Sequence, residues 1–201
     1  MIITIGREFG SGGREFGKRL AEALGIAYYD KEIVGEVAKN TSLAYDYVQN
    51  IVEKRPIIYY PISVGHSFDD YSSYVATQHY SVQAEQEKVI KELAVKTDCV
   101  IVGRCADYIL RDEKPFRIFI YSDIESKIKR CKEKNEVDTN LSDKKIAKQI
   151  KQIDRQRGEY YEFFTGQRWG EKENYDVMIN TSGKQIKELA LGLAKFIKNN
   201  Q

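Results

Sequence analysis

The tract that most limits what this chain can become is Gly10-Ser11-Gly12-Gly13, three glycines in four residues, set between a short apolar run and a helical pattern. Ile2 to Ile5 is mostly β-branched and stops at Gly6, which reads as a buried strand. Beyond the glycines, Phe16, Leu20, Ala23 and Leu24 recur at helical spacing, and Gly25 ends that helix. Strand, glycine loop and helix together suit a phosphate, because bare backbone amides can approach it and the helix adds the positive end of its dipole. A plain tight turn would need fewer glycines, so the phosphate reading is preferred for Gly10, Ser11, Gly12, Gly13 and the following Arg14.

The loop is not a regular Walker A motif, which runs GxxxxGK followed by Ser or Thr. That pattern can be laid on Gly12 to Lys18, but Arg19 then stands where Ser or Thr belongs. Lys18 would also lie ~200° around the helix from Phe16 and so face solvent. In the register that keeps the strand–loop–helix context, Gly13 takes the lysine position and Glu15 the Ser/Thr position. Positive charge for the phosphates must then come from elsewhere. Arg14 and Arg7 are nearest, and a guanidinium can grip two phosphate oxygens at once. Arg14 is preferred for this role over a plain surface charge; for Arg7 the sequence favours neither reading.

The rest of the chain alternates in the same way. Strands are expected at 26–29, 100–102, 118–121 and 177–179. Helices are expected near 31–40, 43–53, 78–96, 123–134, 142–164 and 183–198. Residues 55–77, with two prolines, Gly65 and many tyrosines and serines, read as a loop or irregular insertion. Such alternation predicts a single α/β domain with a five-stranded parallel sheet covered on both faces. Ligands of such sheets bind beyond the carboxyl ends of the strands, where Gly6, Asp30, Arg104 and the residues after Ile179 fall. Asp30 either orients a ligand or caps the helix starting at Lys31. Arg104 holds a phosphate or pairs with Asp107 or Asp30, the first being preferred. Trp169 reads as packing rather than as a base-stacking residue.

Charge and composition exclude more than they identify. A net charge of +2 on 201 residues gives no case for a nucleic-acid or membrane partner. No run approaches the roughly 18 apolar residues of a membrane span, and the start of the chain does not read as a signal peptide. Three cysteines without CxxC spacing argue against a disulfide framework, and Cys99 reads as a buried free thiol. The expected compartment is the cytoplasm. His66 and His79 have no partner spacing for a metal. Tyr59, Tyr60, Tyr71, Tyr74 and Tyr80 crowd the insertion and suggest an interface, hence a possible homo-oligomer.

Three ordered blocks carry a family resemblance. ITIGREFGSGGREFGKRLAEALGIAYYDKEI, VIVGRCADYIL and IDRQRGEYYEFFTGQRWGEKENYDVMINTS are similar to those of the cytidylate kinase-like family. More distantly, Tyr28-Tyr29-Asp30, Gly103-Arg104 with Asp107 displaced, Asp154-Arg155-x-Arg157 and Asn180-Thr181-Ser182 resemble landmarks of true cytidylate kinases. The resemblance implies a three-layer P-loop NTPase fold with an acceptor-side helical insertion over 31–97 and a lid-like segment at about 154–175. It implies ATP-dependent phosphoryl transfer to a nucleoside monophosphate, CMP-like above all, with magnesium. Catalytic roles would fall to Arg14, Arg104, Arg155 and Arg157, and acceptor binding to Asp30, Arg104 and Asp107; the metal ligands are unspecified. True cytidylate kinases carry the Walker lysine and this chain does not. A nucleotide-binding or regulatory module without transfer is therefore the alternative.

Overall fold

The computed structural model of the chain describes residues 1–52 and 69–200. Five strands form one parallel sheet: β1 (Ile2–Arg7), β2 (Ala27–Tyr29), β3 (Cys99–Val102), β4 (Phe116–Tyr121) and β5 (Val177–Asn180), in the order β2-β3-β1-β4-β5. β1 is central, pairing Ile5 with Val102 on one side and Ile118 on the other. All five expected strands are present.

The strands separate two cores by simple alternation. In β3, Val100 and Val102 face one side, where Ile3, Ile5, α1 (Gly13–Leu24) and α8 (Ile186–Asn199) meet. Cys99 and Ile101 face the other side. There α2 (Lys31–Thr41), α3 (Tyr45–Ile51), α4 (Asp69–Lys96), the short α5 (Ala106–Ile109) and the end of α7 (Asp143–Thr165) pack. α8 docks through Ile186, Ala190, Ala194 and Ile197, one stripe at helical spacing. A third, small cluster joins α6 (Ile124–Glu133) to the start of α7 through Cys131, Ile146 and Ile150.

α4 begins at Asp69, so the loop expected through 77 is corrected over 69–77. No proline or glycine follows Gly65 before Lys96, and the Asp69-Asp70 pair suits a helix start. The remainder of that stretch, with Tyr59, Tyr60 and His66, lies outside the described residues. Cys99, Cys105 and Cys131 are buried free thiols. Among the described residues no helix is long and apolar enough to cross a membrane.

Candidate functional site

The glycine loop runs from the end of β1 into α1, and its shape is fixed from several directions. Ser11 is fully buried; its Oγ donates to the Glu8 carbonyl at 2.7 Å. Thr181, just after β5, donates through Oγ1 to the Ser11 carbonyl at 2.7 Å. Arg130 of α6 donates to the Gly10 carbonyl at 2.7 Å and to the Thr181 carbonyl at 3.3 Å. With the carbonyls of the loop engaged by side chains behind it, the start of α1 is left to the front. Gly12 is its N-cap, at φ 82° in the left-handed region, and no side chain caps the helix. The first amides of a helix have no intrahelical partner, so this end offers donors to an anion.

The glycines are required by contact as well as by conformation. A methyl group at Gly10 would stand 2.7 Å from the Cys131 Sγ, and one at Gly12 would stand 2.8 Å from the Ile186 Cδ1. Lys18 is exposed on α1, as its position around the helix predicts.

In front of the loop lies a cleft with five cations, Arg7, Arg14, Arg130, Lys134 and Arg157, and three carboxylates, Glu8, Glu15 and Glu136. Arg14 pairs with the buried Asp30 at 2.9 Å. Glu15 is bonded by Lys134 at 2.6 Å and Arg19 at 2.8 Å. Burial pushes its carboxyl up, but these two partners outweigh that and hold it below the ordinary value. Glu8 pairs with Lys127 at 2.8 Å and accepts from the Ser122 amide at 3.0 Å. Asp154 takes the other side of Lys127 at 2.9 Å and accepts from the Phe9 amide. The Glu8–Lys127–Asp154 chain thus ties the loop to α6 and α7.

A second cleft opens on the neighbouring strand end, lined by Gly6, Val52, Arg104, Asp107, Tyr161, Trp169 and Tyr175 among others. Gly103, Arg104 and Cys105 follow one another at φ 73°, 63° and 53°, left-handed values that cost free energy in non-glycine residues. The turn is held in part by the fully buried Gln86, whose Nε2 donates to the Arg104 carbonyl at 3.5 Å and to the Tyr160 hydroxyl at 3.2 Å. Asp107 is 8% exposed and accepts from the Tyr161 hydroxyl at 2.7 Å. Burial raises its carboxyl above the ordinary range, against that hydrogen bond. Trp169 packs edge-on against Phe119, with ring centroids 5.3 Å apart, and so acts as packing in the wall of the cleft.

Arg7 and Arg157 line both clefts. The structure therefore brings together the loop 10–14, Arg104, Asp107 and Arg157. Asp30 lines neither cleft and makes no side-chain cap on α2; its carboxylate faces Arg14 instead. Arg155 also stays outside. α7 is unbroken across this stretch, so Arg155 and Arg157 point to different sides. Arg155 is 71% exposed and sits 3.6 Å from Glu159.

Sequence reading missed Arg130, Lys134, Lys127 and Tyr161. Part of the signal was present. Ile146, Ile150, Asp154, Arg157 and Tyr161 follow one another at spacings of four, four, three and four. Two charged residues therefore interrupt an apolar stripe on the side of α7 that faces the protein. Lys127 and Cys131 do the same on α6.

The cytidylate kinase-like family model matches residues 2–183. A crystal structure of an uncharacterized protein from Eubacterium ventriosum is 29% identical with a TM-score of 0.70, covering 98% of each chain. The shikimate kinase of Acinetobacter baumannii, solved in complex with shikimate, is 16% identical with a TM-score of 0.54, over 100% of this chain and 93% of that one. The shikimate kinase of Bacteroides thetaiotaomicron is 12% identical with a TM-score of 0.59, over 98% of each. No curated protein matches the chain. These likenesses identify the architecture as the P-loop kinase fold.

Proposed function

Because the chain belongs to the cytidylate kinase-like family, we propose that it transfers the terminal phosphoryl group of ATP to a nucleoside monophosphate, with a CMP-like acceptor. The observation that carries this reading is the pair of adjoining clefts with Arg7 and Arg157 common to both. The donor's phosphates rest on the amides of Gly12, Gly13 and Arg14, and the acceptor's phosphate lies beside Arg104. An acceptor phosphate oxygen attacks the donor's terminal phosphorus while the bond from that phosphorus to its bridging oxygen breaks. The products are two nucleoside diphosphates. Such transfer asks the protein mainly for positioning and for charge at the equatorial oxygens, and the arginines supply that charge. α7 with the following 166–175 segment would act as the lid, and 31–97 as the acceptor-side wall.

The loop fits a polyphosphate: its helix end carries no side-chain cap and faces five cations. Among the described residues no group of three His, Cys, Asp or Glu side chains could hold a metal ion alone. That agrees with an ion such as magnesium that arrives on nucleotide phosphates and takes few protein ligands. When bound, it would neutralise phosphate charge. Glu15, at the loop position of the usual hydroxyl ligand, is the residue placed to meet it after releasing Lys134.

Glu15 also favours the second reading, a nucleotide-binding module without transfer, since a carboxylate replaces that hydroxyl. Turnover of ATP with magnesium against a panel of nucleoside monophosphates separates the two. The kinase reading expects a diphosphate product with at least one acceptor, CMP foremost. Calorimetric binding of ATP with no product from any acceptor would establish the module instead.

A further inference from the structure

We propose that Arg7 replaces the missing Walker lysine, delivering from the end of β1 the positive charge that other loops deliver from the first turn of the helix. This rests on the kinase reading above and names the residue on which its charge transfer depends. The argument starts from two glycines. A methyl group built on Gly13 would stand 2.4 Å from the Arg7 Cβ and 3.0 Å from its Cγ. One built on Gly103 would stand 1.6 Å from the Arg7 Nη1 and 2.5 Å from its Cζ. The stem of Arg7 therefore fills the space into which a side chain at position 13 would start, and its guanidinium lies over the strand-end turn. A lysine at 13 and an arginine at 7 exclude each other sterically.

The placement is specific. Arg7 is the last residue of β1 and only 6% exposed, yet it lines both clefts. Its carbonyl accepts from Arg157 Nη1 at 3.5 Å, which sets the second shared arginine beside it. The other cations of the loop cleft are committed elsewhere: Arg14 to Asp30, Lys134 to Glu15, and Arg130 to two carbonyls behind the loop. A guanidinium between donor loop and acceptor turn reaches the one group that passes between them, the transferred phosphoryl. Its planar fork can hold two of that group's oxygens.

The test is the dependence of binding on the terminal phosphate. By calorimetry with magnesium, the wild type is expected to bind the non-hydrolysable analogue AMP-PNP at least about tenfold more tightly than ADP, a modest value for one charge-assisted contact. Arg7→Met keeps an unbranched stem over Gly13 and removes the charge; it should bring that ratio close to one and leave ADP affinity within about threefold. The double variant Arg7→Ala with Gly13→Lys restores room for the lysine and should recover most of the ratio. Gly13→Lys alone, with Arg7 in place, should not. A ratio unchanged in Arg7→Met overturns the proposal while leaving the kinase reading intact. If Arg7→Met fails to fold, a double variant that folds without recovering the ratio overturns it equally. A wild type that binds neither nucleotide refutes the kinase reading and this inference together.

Discussion

The two clefts that meet at Arg7 are built in opposite ways. The loop cleft takes its floor from one continuous piece of chain, Arg7 to Glu15, and its shape is fixed by hydrogen bonds from Ser11, Thr181 and Arg130. The neighbouring cleft is assembled from five separate places, around residues 6, 52, 104, 160 and 169–175, over a turn with three successive left-handed residues. One is a local structure reinforced from outside. The other exists only once the fold is complete. The difference suggests a division of labour: a fixed cradle for what all donors share, their phosphates, and a composite wall for what distinguishes one acceptor from another.

Perturbations of the fold can break this contrast. The largest expected effect is on the loop side. Lys127 is 6% exposed and carries both Glu8 and Asp154. Lys127→Met leaves two carboxylates facing each other and should cost ~3–5 kcal/mol, lowering Tm by roughly 10 °C for a chain of this size. A change within experimental error would show that the loop does not depend on its ion chain.

Next comes the turn that separates the clefts. Gly103→Ala imposes a Cβ at φ 73° and must displace the Arg7 guanidinium. It should cost ~1–2 kcal/mol in stability. It should also lower phosphoryl transfer by about a hundredfold, the size of loss that follows misplacing a group at the reacting centre. Loss of stability with full turnover would separate Arg7 from the reaction.

On the acceptor side, burial holds the Asp107 carboxyl above its ordinary value of 3.8, against the Tyr161 hydrogen bond. The folded protein therefore keeps that proton more firmly than the unfolded chain does. Its contribution to stability is present below the ordinary value and is lost as pH rises through the raised one. Chemical denaturation of Asp107→Asn beside the wild type should show the variant gaining relative stability from about pH 4 to neutrality. Parallel curves would mean that Asp107 is solvated as an ordinary carboxylate. The smallest effect belongs to Arg155→Ala, expected to stay within ~0.5 kcal/mol and to leave turnover unchanged. Arg157→Ala, two residues on, should reduce turnover roughly a hundredfold.

The same contrast explains what could be read from the sequence. The loop, its register and the outward face of Lys18 follow from short-range pattern, because strand, glycines and helix are contiguous. The five strands followed for the same reason: each is a short apolar run closed by a turn. The start of α4 was misplaced because tyrosine and serine were weighed as loop formers, whereas the stretch beyond Gly65 holds no breaker. The pairing of Asp30 with Arg14 and of Asp107 with Tyr161 joins residues 16 and 54 positions apart. No local pattern encodes such meetings. The polar interruptions at Asp154 and Arg157 were legible in principle, as charges on an apolar stripe, but only the fold shows which of them turns into a cleft.

The central claim is that the front of the glycine loop holds the donor's phosphates. Amide chemical shifts of the ¹⁵N-labelled protein, recorded as ADP is added with magnesium, test it most directly. The largest movements should fall on Gly12, Gly13 and Arg14, with Gly183, remote in sequence and also at positive φ, nearly still. Movements centred anywhere else, with those three amides unmoved at saturation, would contradict the account.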